Sequence, residues 1–184
     1  MKPTETSFNE MQTVKRHFFA MRNGIIADTL RHAGSPFKII FGLNLPQLIE
    51  IAESTPHSAE LATRLWNNST TRESMLLAPM IFPREEFDAH TAAEWSSQIP
   101  TPEVADILCH RLLRHMPYSI ELAVSLCESD EDMQRYTGLR LLFNIIGHNA
   151  KTALEYAERE LNAQCVLTRN LATQLADEAR FYLN

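Results

Sequence analysis

The chain of 184 residues contains little glycine and few cysteines, and the cysteines form no metal-binding or disulfide pattern. It has 5 glycines and 3 cysteines, which are Cys109, Cys127 and Cys165. No two of them have the CxxC spacing of a zinc site, and an odd number of widely spaced cysteines does not fit a disulfide framework. We therefore predict that they are small buried apolar residues.

Long apolar runs and the signatures of common cofactor sites are also missing. No stretch approaches the roughly 18 apolar residues of a membrane span, and the polar start MKPTETSFNEMQ does not resemble a signal peptide. There is no Gly-rich phosphate loop, Ser–His–Asp signature or HExxH element. His110 and His115 do not have the i, i+4 spacing of two ligands on one helix face. We expect a cytoplasmic protein without membrane contact, metal or other cofactor.

Summed over the chain, acidic residues outnumber basic ones. The 17 Lys and Arg residues face 23 Asp and Glu residues, which gives a formal charge of -6. This balance disfavours strong non-specific binding of nucleic acid, which depends on neutralising phosphates. It leaves room for a local basic groove, and equally for a protein-interaction scaffold.

Helical periodicity is the main positive signal, and no convincing alternating strand pattern occurs. Two opening helices are expected in FNEMQTVKRHFFAMR and GIIADTLRHA, followed by a short one in LPQLIEIAES. Further helical segments are predicted over residues 59–67, 71–82, 84–97, 102–116, 119–128, 131–147, 150–161 and 164–183. Three sequence signals predict helix starts. They are a capping box of Thr70 and Glu73, the N-cap Thr101 followed by Pro102 at the first helical position, and a cap formed by Ser129 with Asp132.

One segment recurs along the chain. AELATRLWNNST (59–70) aligns without a gap with IELAVSLCESDE (120–131), and LEYAERELNAQ (154–164) is a weaker copy. Helix pairs that recur every 30 to 40 residues indicate a helical-repeat array. We predict an all-α fold, a curved array of HEAT-like antiparallel helix pairs that forms a single domain over residues 1–184. A compact, non-repetitive helical bundle is the alternative.

Four stretches resemble the AlkD-like DNA alkylation repair family of HEAT-repeat proteins. They are FGLNLPQLIEIAES (41–54), ATRLWNNSTTRESMLLAPMIF (62–82), PTPEVADILCHRLLRHMP (100–117) and SDEDMQRYTGLRLLFNIIG (129–147). The resemblance implies that the concave face of the array holds duplex DNA by its backbone. It also implies that active members excise positively charged alkylated purines as glycosylases.

The resemblance further implies an active site of Trp-x-x-x-Asp, a later Arg and a final Trp. The Asp, which would stabilise positive charge on the sugar, matches Asp106, and the Arg matches Arg135. The first Trp is replaced by Pro102 and the final one falls near Gln174, while Asn44 replaces a basic residue of the first motif. We therefore predict that glycosylase activity is impaired or absent.

Structural roles compete with these functional ones. Asp106 would be costly to bury alone, so it is either an inherited catalytic acid or half of a structural ion pair, with Arg135 as the expected partner. Arg111, Arg114 and Arg135 are the predicted contacts to the DNA backbone, although Arg111 and Arg114 also fit a solvated helix face.

Three functions follow, of which the first is preferred. They are binding of duplex or damaged DNA, a protein-interaction scaffold, and an active glycosylase for cationic alkylpurines. The sequence carries no signal of oligomeric state.

Overall fold

A computed structural model describes residues 5–184 of the chain, with side chains from residue 9 onward. Between these limits it contains eleven α-helices, two short 3-10 turns and no strand, apart from one isolated bridge between Ile39 and Thr71. The predicted all-α class, built from packed helix pairs, is therefore confirmed. None of the described helices is long and apolar enough to cross a membrane.

The helices follow the predicted segments closely. They are α1 (Glu5–Ala20), α2 (Gly24–His32), α3 (Leu45–Ser54), α4 (Ala59–Asn67), α5 (Arg72–Ile81), α6 (Ala89–Ser97), α7 (Pro102–Arg111), α8 (Ser119–Cys127), α9 (Asp132–Asn144), α10 (Ile146–Ala163) and α11 (Arg169–Leu183). Two segments are broken where continuous helices were expected. Residues 84–97 begin with a 3-10 turn, Arg84–Glu86, and the helix that starts at Pro102 stops at Arg111 because Leu112 leaves helical geometry (φ -127°, ψ -63°).

The chain forms two compact units, Met1–Phe87 and Asp88–Asn184. In the first, α5 packs against α3 and α4, and α4 also contacts α1. In the second, α9 packs against α7 and α8, and α10 packs against α11. The repeated segment lies in α4, α8 and α10, so each copy belongs to the first helix of a packed pair.

The buried residues agree with the apolar stripes of the sequence. Trp66 and Trp95 are in the core, as are Cys109 and Cys127, whereas Cys165 is half-buried. Burial raises the pKa of the Cys127 thiol to about 12. The prediction of buried apolar cysteines is therefore confirmed for two of the three.

Of the three predicted helix starts, only one has the expected cap. Thr101 accepts a hydrogen bond from the Val104 N–H, and Pro102 follows at the first helical position. The capping box of Thr70 and Glu73 is wrong, because α5 begins after Thr71 and has no side-chain cap. Helix α9 begins after Glu131, also without a side-chain cap, while the Ser129 hydroxyl accepts from the Glu131 N–H.

Glu73 serves instead as a buried anchor in the first unit. Its fully buried carboxylate accepts hydrogen bonds from the backbone N–H groups of Phe41 (3.0 Å), Gly42 (2.9 Å) and Leu43 (3.3 Å). Arg72 Nη1 lies 2.8 Å from the same carboxylate and donates to the Leu43 carbonyl at 3.0 Å. The network ties the start of α5 to the loop that precedes α3, and so joins two of the stretches that carry the family resemblance.

Gly42, in this loop, has no room for a side chain. Its φ is +79°, and a Cβ atom would lie 2.2 Å from the Asn23 carbonyl oxygen and 2.8 Å from the Ala27 nitrogen. We expect Gly42→Ala to lower the free energy of unfolding by about 3 kcal/mol, since left-handed strain and overpacking both oppose it. Urea denaturation measures this change in the free energy of unfolding. Gly24→Ala is the control, because nothing lies within 4 Å of its Cβ position, and equal midpoints for the two variants would contradict the prediction.

Candidate functional site

Helices α7 and α9 of the second unit bring the chemically distinctive side chains together. Helix α7 buries Val104, Ala105, Leu108 and Cys109, and the Cys109 thiol lies 3.6 Å from the Thr137 carbonyl oxygen of α9. This packing leaves Asp106 at the edge of the α7–α9 contact. One turn apart on the facing edge of α9 are Tyr136 and Arg140, which have i, i+4 spacing.

These three side chains form a compact polar cluster, which we call the Asp106 cluster. Arg140 Nε lies 2.6 Å from Asp106 Oδ1, and the Tyr136 hydroxyl donates to the same oxygen at 3.0 Å. Arg140 Nη2 also donates to the Tyr136 hydroxyl oxygen at 3.2 Å. The Asp106 side chain remains 41% exposed, and Oδ2 accepts no hydrogen bond from the described residues. One carboxylate oxygen is therefore fixed and the other is available.

Arg140 is held by packing as well as by charge. Its Nε–H does not point along the short contact to Asp106, so the contact is an ion pair rather than an aligned hydrogen bond through Nε. The guanidinium carbon lies 5.8 Å from the ring centre of Tyr136 and 5.9 Å from that of Phe143. The guanidinium of Arg140, whose side chain is 24% exposed, is thus kept against two aromatic rings.

The electrostatic setting of Asp106 combines two opposing effects. Partial burial raises the pKa of its carboxyl group, whereas the charge of Arg140 and the Tyr136 hydroxyl act to lower it. Burial is the larger effect, so the net direction is upward. The ion pair therefore compensates only part of the cost of removing the carboxylate from water.

Arg135 lies in a different network, on the α10 side of α9. Its Nε donates to both carboxylate oxygens of Glu160, at 3.1 and 3.3 Å. Nη1 donates to the carbonyl oxygens of Ser129 (3.1 Å) and Asp130 (2.8 Å), and Nη2 lies 2.5 Å from Asp132 Oδ1. Glu160 is buried and also accepts from the Thr168 hydroxyl at 2.7 Å. Arg135 thus closes the turn before α9 and joins it to α10.

The expected ion pair between Asp106 and Arg135 is therefore wrong, and Arg140 takes the place of Arg135. Asp106 was predicted from the sequence, whereas neither Tyr136 as its partner nor any role of Arg140 was predicted. The available signal was the i, i+4 spacing of Tyr136 and Arg140 in the segment that also contains Arg135. The catalytic and DNA-contact roles of Asp106 and Arg135 stay predictions.

Arg111 and Arg114 have different surroundings, since the helix break at Leu112 separates them. Arg111 Nε is buried and has no hydrogen-bond partner among the described residues. Arg114 is exposed, and its Nη1 lies 3.2 Å from His110 Nδ1. The same nitrogen of His110 lies 3.1 Å from Asn144 Oδ1 of α9. His110, Arg114 and Asn144 therefore continue the polar edge that begins at the Asp106 cluster.

An open depression of about 540 Å³ adjoins this edge at the end of α9. Its lining residues are Arg114, His115, Phe143, Asn144, Ile145, Ile146, Gly147, His148, Glu178 and Tyr182. Within the described part of the chain, no group of three His, Cys, Asp or Glu side chains is placed to hold a metal ion.

The positions at which the family pattern is broken have ordinary structural roles. Pro102 occupies the first position of α7, and Gln174 is an exposed residue of α11. Asn44 caps α3 in a capping box, accepting from the Gln47 N–H and donating its own N–H to the Gln47 side chain. None of the three supplies the aromatic or basic group that the resemblance implies.

Comparison with known proteins supports the resemblance. A search of the curated proteins gives no match, and neither does a search of the solved structures. The family model described as DNA alkylation repair enzyme matches residues 14–173, which is most of the chain and includes the Asp106 cluster and the Glu73 anchor. The chain therefore belongs to the DNA alkylation repair enzyme family.

Proposed function

We propose that this protein binds duplex DNA containing cationic alkylated bases and excises them poorly or not at all. The binding surface is the edge of α7 and α9 from the Asp106 cluster to Arg114, as part of the concave face of one repeat domain over residues 1–184. The Asp106 cluster carries the proposal, because it combines an available carboxylate oxygen with a partly exposed guanidinium in a member of this repair family.

Arg114 and Arg140 are the proposed contacts to the DNA backbone. Arg114 is exposed and has no carboxylate partner among the described residues, and Arg140 is ion-paired only with the partly exposed Asp106. Guanidinium groups bind phosphate oxygens through charge-assisted hydrogen bonds. Arg135 would first have to give up Glu160 and Asp132, so we assign it a structural role in place of the expected DNA contact.

Asp106 is the proposed contact to the positive charge of the lesion. Its Oδ2, which accepts no hydrogen bond from the described residues, can face a cationic base or sugar. However, a guanidinium only 2.6 Å from Oδ1 offsets much of the field of the carboxylate. Pro102 and Gln174 also provide no aromatic wall against the sugar. The arrangement therefore favours recognition of a cationic lesion over catalysis of its release.

Binding and base release are tested separately on the same DNA. Fluorescence titration at about 50 mM salt, where phosphate contacts are strongest, compares a duplex containing 7-methylguanine with its unmodified counterpart. We expect saturable binding of both, tighter for the lesion, with no release of methylated base above the spontaneous rate. Absence of binding would favour the scaffold alternative, and rapid release would favour the active glycosylase.

Replacing Asp106 by asparagine separates attraction to the lesion from repulsion of phosphate. Asp106→Asn removes a negative charge from the surface and frees Arg140, so we expect binding of unmodified duplex to tighten about threefold to tenfold at low salt. The preference for the cationic lesion is expected to disappear. Both quantities come from the same titrations.

The control is Glu121→Gln, which makes the same change of charge at an exposed position on α8. It should leave the lesion preference unchanged. If Asp106→Asn behaves like this control for both duplexes, Asp106 does not belong to the binding surface.

A further inference from the structure

The first unit concentrates positive charge near its start. Residues 9–48 carry five basic and two acidic residues, whereas residues 49–184 carry 11 basic and 20 acidic residues. All five basic side chains are exposed, namely Lys15, Arg16, Arg22, Arg31 and Lys38. This part of the protein, formed by α1, α2 and the segment before α3, is thus basic on an otherwise acidic chain.

Two of these arginines line one open depression of about 480 Å³. Its lining is Ala20, Arg22, Gly24, Ala27, Arg31, Ile40 and Phe41. Apart from the arginines, the α1 and α2 side of the depression consists of small residues, Ala20, Gly24 and Ala27. A ligand can therefore come close to the backbone there without meeting a bulky side chain.

Arg22 is oriented but keeps its charge available. Its Nη1 donates to the Phe19 carbonyl oxygen at 2.8 Å, and its guanidinium carbon lies 3.8 Å from the centre of the Phe19 ring. No carboxylate of the described residues lies within ion-pair distance of it. Stacking on Phe19 restricts the side chain in advance, which reduces the entropy lost when it binds an anion.

Arg31 is held at the same depression by two contacts. Its Nη2 donates to the Ile40 carbonyl oxygen at 3.2 Å, and its Nη1 lies 2.7 Å from Asp28 Oδ1. The two partners of this ion pair are 49% and 64% exposed. An exposed pair of this kind contributes little free energy, so a phosphate can replace Asp28 at low cost.

We infer that this depression is a second binding site for the phosphate backbone of duplex DNA, with Arg22 and Arg31 as the phosphate donors. This inference rests on the proposed function and adds a contact in the first unit, separate from the Asp106 cluster. The space is several times larger than one phosphate group needs and is open to solvent. Lys15, Arg16 and Lys38 are further exposed cations of the same part of the chain, and this excess of positive charge suits a polyanion better than a small free anion.

The test is the salt dependence of duplex affinity for the double variant Arg22→Gln/Arg31→Gln. Loss of two phosphate contacts should make the slope of log affinity against log salt shallower by about 1.8 and weaken binding about tenfold at about 50 mM salt. Arg22→Lys/Arg31→Lys should retain the wild-type slope, because the charges remain. Asp28→Asn should tighten duplex binding at low salt and leave the slope near the wild-type value, because Arg31 already contacts phosphate in the wild type and then does so without the competing carboxylate.

The matched control is Arg84→Gln/Arg159→Gln, which removes two exposed charges that line neither depression. If the wild type binds duplex and the Arg22/Arg31 variant has the slope of this control, the second site is wrong and the proposed function stands. If the wild type binds no duplex, the second site and the proposed function are both wrong. Circular dichroism checks folding. If the double variant does not fold, the single variant Arg22→Gln takes its place, because it breaks only the contact to Phe19. We expect it to give about half the slope change.

Discussion

Glu73→Gln is expected to lower the free energy of unfolding by about 3–5 kcal/mol, the largest effect of any substitution considered for this protein. A glutamine keeps the shape of the side chain but removes the negative charge that lies 2.8 Å from buried Arg72. Its amide nitrogen would also face backbone N–H groups that now donate to a carboxylate. Because folded proteins are typically stable by only about 5–15 kcal/mol, such a loss removes a large share of the stability. Urea denaturation followed by circular dichroism measures it.

Glu50→Gln provides the comparison for this variant. Glu50 is an exposed residue of α3 in the same unit, so the same chemical change should alter stability by no more than about 0.5 kcal/mol. Equal unfolding midpoints for the two variants would mean that the Glu73 network does not stabilise the loop at residues 41–43.

Arg135→Gln is expected to destabilise the protein by about 2–4 kcal/mol without changing the salt dependence of DNA binding. The substitution leaves the buried carboxylate of Glu160 with the Thr168 hydroxyl but no cation. It also removes the donors that hold the carbonyl groups of Ser129 and Asp130 before α9. Thermal unfolding measures the first effect, and titrations at several salt concentrations measure the second.

A double-mutant cycle with Glu160→Gln isolates the ion pair. Since each single variant already breaks the Arg135–Glu160 pair, the double variant should lose less stability than the sum of the two. The opposite result, an unchanged midpoint with a salt slope shallower by about 0.9, would return Arg135 to the role of a phosphate contact that the family resemblance implied.

Much of the helical architecture could be predicted because each helix has its own apolar period and end signals. Thr101 and Pro102 placed the start of α7 correctly, since an N-cap is a local interaction. The same reasoning failed at Glu73, where a Thr-x-x-Glu spacing fits a capping box but three backbone N–H groups from a distant loop bind the carboxylate instead. The loop that binds Glu73 lies far from it in the sequence, so a local sequence pattern cannot reveal the competing interaction.

The candidate site shows the same limit. Asp106 was found because a carboxylate stands among apolar residues, and its environment required a cation. Whether Arg135 or Arg140 pairs with Asp106 depends on how α9 is rotated about its own axis relative to α7 and α10. The apolar pattern of α9 does not specify this rotation, because buried residues occupy most of its positions from Tyr136 to Leu142. Packing turns Arg140 toward α7 and Arg135 toward α10.

The salt dependence of duplex affinity for the wild type and for Arg114→Gln/Arg140→Gln tests the proposed function most directly. We predict saturable binding at about 50 mM salt, a linear decrease of log affinity with log salt, and a slope shallower by about 1.8 in the variant. Absence of binding at low salt, or the same slope for both proteins, would contradict DNA recognition through the edge of α7 and α9.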